Sequence, residues 1–327
     1  MDTVESVTIE LLNALPKLKR IILSPPFTLE MADYCVQSDA LRSFSCRKHR
    51  NASPRPMFTN PDSFQSHTNC ASHSLSSLFV TLPFRDAVKF IRRLTTPEKI
   101  KEFGITSILP ETRNSFATLV TTVAEVFTGL RTLGLYSPPG LRSGTKEGID
   151  IRVLAPLLHH SELHHLDIAH GEPLDLQYQD LEDMALAWPS IKTLNLNPMP
   201  ASCSPSSLTL EALQPFARHS HDLRHLGLYL DTTNSSMDSL RDCPRFQNLG
   251  ALAVAMSAIQ ETSLIAMILS RIFPADCHLS HFRPVDVRFM PKEYGNVFLS
   301  RVKQWAEVVR LLPFFIQARL EERMTIN

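Results

Sequence analysis

Apolar and polar positions along the chain fall into one short phrase that keeps returning: apolar, two variable, apolar, one variable, apolar. It reads LKRIIL from Leu18, LRSFSC from Leu41, LSSLFV from Leu75, IKEFGI from Ile100 and LRTLGL from Leu130. It continues as LHHLDI from Leu163, IKTLNL from Ile191, LRHLGL from Leu223 and LGALAV from Leu249, with a weaker tenth copy, LSHF, from Leu279. The last positions of the phrase alternate, so each copy predicts a short strand with one face buried. Ahead of several copies lies a stretch with helical spacing, as in FATLVTTVAEVFTG before Leu130, LEDMALAWPS before Ile191 and LTLEALQPFARHSHD before Leu223. Leu181, Met184 and Leu186 in one, and Leu208, Leu210, Leu213 and Phe216 in another, predict the inner helical faces.

The copies recur every 23 to 34 residues, around and above the period of roughly 20–29 of leucine-rich repeats. One such unit cannot bury its leucines alone, so neighbours must stack. Each stacked leucine contributes about 1.5–3 kcal/mol of burial. The expected fold is α/β: an irregular leucine-rich-repeat solenoid, with a curved parallel sheet and helices on its convex side, over residues 1–290. A C-terminal amphipathic helix is expected to cap it over 291–327. Trp305, Val309, Leu312, Ile316 and Leu320 give that helix its apolar stripe, with a kink near Pro313 and Arg319, Glu321, Glu322 and Arg323 as its solvated end. Segments Ser24–Asp39, Arg47–His73 and Pro138–Gly148 are rich in Pro, Ser, Asn or Gly and read as protruding loops, with a flexible insertion at about 47–73. Asp231–Cys243 is a second polar insertion. No copy shows the strict ladder asparagine of leucine-rich repeats after the phrase.

Charge narrows the class of partner. The 33 Lys+Arg balance 33 Asp+Glu, so no broad electrostatic footprint for nucleic acid is expected. Hydrophobic residues at 43% suit a large core and argue against disorder. The 6 cysteines form no CxxC or CxxH set and read as reduced, mostly buried thiols. The N-terminal MDTVESVTIELL lacks the basic start and long apolar run of a secretory signal, and no stretch approaches roughly 20 apolar residues. A cytoplasmic or nuclear protein with no membrane partner is expected.

The segments MALAWPSIKTLNLN (184–197), LTLEALQPFARHSHDLRHLGLYLD (208–231), LPFRDAVKFIRRL (82–94) and WAEVVRLLPFFIQARLEERM (305–324), together with the repeats, resemble a fungal-type F-box/leucine-rich-repeat protein. The resemblance covers most of the chain. It implies a substrate-recognition subunit of a cullin-type ubiquitin ligase, or a fragment of one, in which an N-terminal F-box docks on a Skp-type adaptor and the repeats hold the target. The chain departs from the family pattern in lacking the short helical box opened by a Leu-Pro-x-Glu-like phrase. Met1 is followed almost at once by IELLNALPKLKRIIL, which reads as mid-repeat, so either the chain is a fragment or a mis-started reading, or it relies on another partner. A scaffold or adaptor without a ligase link is the alternative, and a metal-dependent enzyme the remaining one.

If the first position of each phrase points inward, the third, fifth and seventh face the concave side. That places Thr132, Gly134 and Tyr136 there, then His165, Asp167 and Ala169, then Thr193, Asn195 and Asn197, then His225, Gly227 and Tyr229. The middle column, Gly104, Gly134, Asp167, Asn195, Gly227 and Ala253, predicts a shallow floor that a partner's main chain can approach. Tyr136, His165, Asp167, Asn195, His225 and Tyr229 are the expected recognition residues, with the two tyrosines as anchors. His159, His160, His164 and His165 invite a zinc reading, but one pair ends a helix and the other enters a strand. No GxSxG, GxxxxGK[ST] or GxGxxG occurs, and Gly totals 10. No catalytic residue, metal or cofactor is expected.

Overall fold

The computed structural model describes residues 2–23, 31, 34, 38, 40–46, 74–107, 109–137, 148–254, 256–280 and 295–326. The segments expected to protrude, Ser24–Asp39, Arg47–His73 and Pro138–Gly148, lie almost wholly outside them. The chain divides into two compact units, Met1–Pro138 and Pro139–Asn327. The C-terminal helix belongs to the second unit.

The first unit begins with a helix, Asp2–Ala14, and builds a parallel sheet from β1 (Arg20–Leu23), β2 (Ser43–Cys46), β3 (Ser77–Thr81), β4 (Glu102–Thr106) and β5 (Thr132–Tyr136) in chain order. Ile21, Phe44, Leu78, Phe103 and Leu133 stand in register across all five strands. All five are buried. These are the fourth positions of five successive phrases, so the repeat seen in sequence is a repeat in space. Helix Phe84–Ile91 packs on helix Arg113–Val126, with Phe84 edge-on to Phe116 at 5.5 Å. The second of these helices starts where Thr112 Oγ1 accepts from Ser115 N at 3.1 Å, an N-cap that satisfies one end amide.

In the second unit the short strands β6 (Ile149–Asp150) and β8 (Leu174–Asp175) pair with each other. The parallel sheet consists of β7 (His165–Ala169), β9 (Thr193–Leu196), β10 (His225–Leu228), β11 (Ala251–Ala253) and β12 (His278–Ser280), in that order. Leu166, Leu194, Leu226, Leu252 and Leu279 are in register and buried. Leu279 therefore takes the fourth position of its phrase and not the first, which corrects the reading of the tenth copy. Helix Tyr178–Ala187 packs on helix Gln214–His219. Leu181 and Met184 are buried as expected, but Leu186 is 57% exposed. Ala185 takes its place inside, since 181, 184, 185 and 188 continue one helical face.

Four helical segments stop in the same way. Phe127, His160, Trp188 and Ser220 lie three residues before their phrases, with φ between −120° and −88° and ψ between 66° and 71°. Leu163, Ile191 and Leu223 then donate back to the carbonyls of His160, Trp188 and Ser220 at 3.0–3.1 Å. These stop residues are buried. Trp188 Nε1 donates to Leu157 O at 3.1 Å, tying its repeat to the preceding one.

After the strands, buried polar side chains of differing type tie one repeat to the next. Thr81 Oγ1 donates to Cys46 O at 3.0 Å, and Ser257 Oγ accepts from Leu230 N at 2.8 Å. The insertion Asp231–Cys243 is pinned: Leu240, at φ 61°, is 1% exposed, and Arg271 Nη1 donates to Met237 O at 2.7 Å.

The last helix, Gly295–Ile326, packs on helix Thr262–Ile272. Its buried face consists of Phe298, Trp305, Val308, Leu312 and Ile316, so Val308 replaces the expected Val309. Pro313 sits exposed inside the helix, which continues through it. Arg319 is not a solvated end: its Nε donates to Ser270 Oγ at 2.7 Å.

Candidate functional site

The parallel register of the second unit places two rows bearing polar side chains on one face of its sheet. His165, Thr193, His225, Ala251 and His278 form one row, and Asp167, Asn195, Gly227, Ala253 and Ser280 the next but one. Between them runs the buried leucine row, whose side chains must point to the opposite face because strand side chains alternate. His165 is exposed, and Asp167, Thr193, Asn195 and His225 are half-buried. Four of the six expected recognition residues, His165, Asp167, Asn195 and His225, thus share one face of one unit. Tyr136 belongs to the first unit, at the end of β5.

Tyr229 is a correction. It is 4% exposed, packed with Met256 and Phe298. Its hydroxyl donates to Ser204 O at 2.7 Å and accepts from Arg301 Nη1 at 3.1 Å. Burial pushes its phenol pKa up, against the pull of Arg301. The sequence reading placed it on the open face because it assumed strand alternation beyond Leu228, where β10 ends. Asn197 is likewise turned inward. It holds φ 51° at 1% exposure, its Oδ1 accepts from His170 N at 3.1 Å, and its Nδ2 donates to Glu172 O at 2.8 Å.

The glycine floor is also occupied. A Cβ on Gly227 would stand 2.2 Å from Asn195 Oδ1, one on Gly104 2.2 Å from the Phe79 ring, and one on Gly134 2.8 Å from the Tyr136 ring. Each glycine admits a side chain of this same chain, so these positions do not wait for a partner's backbone. The Asn195 carbonyl oxygen is buried there without a hydrogen-bond partner.

His225 has its pKa lowered, first by burial and further by His278, with the Asp167 carboxylate opposing. His278 was missed in the sequence because its phrase was read from Leu279 onward. The tandem histidines diverge: His160 is buried at a helix stop, whereas His165 stands exposed on β7. Among the described residues no group of three His, Cys, Asp or Glu is placed to hold a metal ion. Cys46 and Cys277 are buried free thiols, both pushed up to about 12 by burial, which leaves almost no thiolate to act as a nucleophile at neutral pH. Among the described residues no helix is long and apolar enough to cross a membrane.

No family model matches the chain, and no curated protein matches it.

Proposed function

We propose that the chain is a leucine-rich-repeat protein that binds another protein on the open sheet face of its second unit, and that it is not an enzyme. The observation that carries this reading is the row geometry: His165, Thr193 and His225 in one register line, with Asp167 and Asn195 in the next outward line. A rigid sheet holds these groups in fixed positions while the leucine row behind them fills the interior. Such an array offers donors, acceptors and charge without ordering cost, which favours binding.

The narrower reading, a substrate receptor of a cullin-type ubiquitin ligase, rests on the resemblance of 184–197, 208–231, 82–94 and 305–324 to F-box/leucine-rich-repeat proteins. The test uses the full chain as bait. Proteins captured by the wild type are compared with those captured by Asp167→Ala/His225→Ala and by Tyr229→Phe. A true partner is lost with the double variant and kept by Tyr229→Phe. Equal capture by all three contradicts the face assignment. Co-purification with a Skp-type adaptor supports the ligase reading, and its absence favours a scaffold.

A further inference from the structure

The second position of the repeated phrase is basic with unusual persistence. It is Lys19, Arg42, Lys101 and Arg131 in the first unit, with Ser76 in one copy, and His164, Lys192 and Arg224 in the second, with Gly250 and Cys277 in the last two copies. Hydrogen bonds lock these positions to the strand starts. Arg42 N and Ser43 N both donate to Lys19 O, Ser76 N and Ser77 N to Arg42 O, and Lys101 N and Glu102 N to Ser76 O, all at 2.8–3.1 Å. The backbone is therefore committed, and the side chains are left to act.

In the first unit this column borders a notch of about 330 Å³ at the N-terminal ends of β1–β4. Lys19, Arg20, Arg42 and Lys101 line it against one acid, Glu102. Lys19, Arg20 and Arg42 are exposed, and none of the four cations forms an ion pair among the described residues. The Ser43 and Ser77 hydroxyls also line the notch and make no hydrogen bond among the described residues, although Ser77 is only 9% exposed. The Lys101 ammonium lies against Gly129, where a Cβ would stand 2.1 Å from its Nζ.

We propose that this notch is an oxyanion-binding site that takes an acidic segment of a partner protein, with phosphorylated side chains held more tightly than carboxylates. Isolated surface charges contribute little, but four cations converging on one hollow act together. Arginine forks bind carboxylate and phosphate in two-point fashion, and the serine hydroxyls complete the set. Neighbouring strand starts lie about 4.8 Å apart. Arg42 and Lys101 are two strands apart, within reach of alternate side chains of an extended peptide laid across them. A peptide fits better than a nucleic acid. The whole chain is neutral, no aromatic side chain lines the notch for base stacking, and nucleic-acid interfaces cover roughly 1,000–2,500 Å². The notch lies in the first unit, so its fate is independent of the face proposed on the second.

The test is fluorescence anisotropy of the full chain at low ionic strength with four labelled probes: a serine–glutamate peptide, the same peptide phosphorylated on serine, an uncharged glycine–serine peptide and a short oligothymidine. The phosphopeptide binds most tightly, the unphosphorylated acidic peptide less so, and added salt weakens both. Arg42→Glu/Lys101→Glu weakens the phosphopeptide at least about tenfold, as loss of two charge-assisted contacts requires. Arg42→Gln/Lys101→Gln, which adds no repulsion, weakens it in the same direction with an unchanged circular dichroism spectrum. Arg241→Glu in the second unit leaves it unchanged. Phosphopeptide binding no tighter than the glycine–serine control, an equal loss with Arg241→Glu, or tighter binding of oligothymidine overturns the proposal.

Discussion

The Asn195 side chain lies over Gly227, one strand away in the same register line, with its Oδ1 2.2 Å from where a Cβ would stand. The two residues were read as separate features of an open floor, and they are one packed unit. Gly227→Ala must rotate the amide aside and push against Pro198, whose Cγ would be 3.1 Å away. The Asn195 side chain can swing, so the cost falls near the lower end of the roughly 1–3 kcal/mol typical of overpacking. Gly104→Ala meets the Phe79 ring at 2.2 and 2.5 Å and must cost more. Denaturant midpoints of the two variants check the order.

The interior row sets the largest stability effects. Leu194 and Leu226 are fully buried and paired in register. Leu194→Ala or Leu226→Ala is expected to cost about 2–5 kcal/mol through the cavity it leaves. Midpoints that barely move would remove these leucines from the core.

Tyr229 and Trp188 test the polar ties between repeats. Tyr229→Phe leaves Ser204 O and Arg301 without that partner, and Trp188→Phe does the same to Leu157 O. Each is expected to cost about 1–3 kcal/mol, the penalty of a buried polar group left unmade. Neither changes partner affinity in a folded sample, because both side chains are buried. A binding defect in folded Tyr229→Phe would return that residue to the recognition surface.

Much of the fold was legible because the phrase repeats. Nine copies put the strands in their correct places, since a stacked unit must bury its fourth position. What failed lay at the edges of that rule. Tyr229 and Asn197 fall just beyond strand ends, where alternation no longer dictates direction. The tenth copy was misplaced because Leu279 follows His278 and Cys277 without an apolar partner at the start of its phrase. The occupied glycines could not be foreseen, because a glycine in one strand says nothing of a neighbouring side chain one repeat away. The basic column was visible in sequence, but only the pairing of β1 to β4 gathers it into a notch.

Acid should weaken the fold through histidine. His225 and His170 both have pKa values lowered below 6.5, in each case first by burial. The folded state thus binds fewer protons than the unfolded one once pH falls below 6.5, and stability declines there with no contribution from these groups above it. Urea midpoints at neutral pH and near pH 5.5 should differ in that direction, and His170→Asn/His225→Asn should narrow the gap. An NMR titration placing His225 above 6.5 would reverse the sign.

The register of β9 against β10 underlies both the buried spine and the recognition rows, and a cross-link reads it directly. Thr193 and His225 are register partners, which puts their Cα atoms about 4.8 Å apart, inside the range a disulfide spans. Thr193 and Gly227 are offset by two residues, at about 8 Å, outside that range. Oxidation of Thr193→Cys/His225→Cys, followed by peptide mapping by mass spectrometry, is predicted to give an intramolecular 193–225 disulfide, while Thr193→Cys/Gly227→Cys stays unlinked. Cross-linking of the offset pair with none in the register pair would contradict the stacking on which the face and the spine depend.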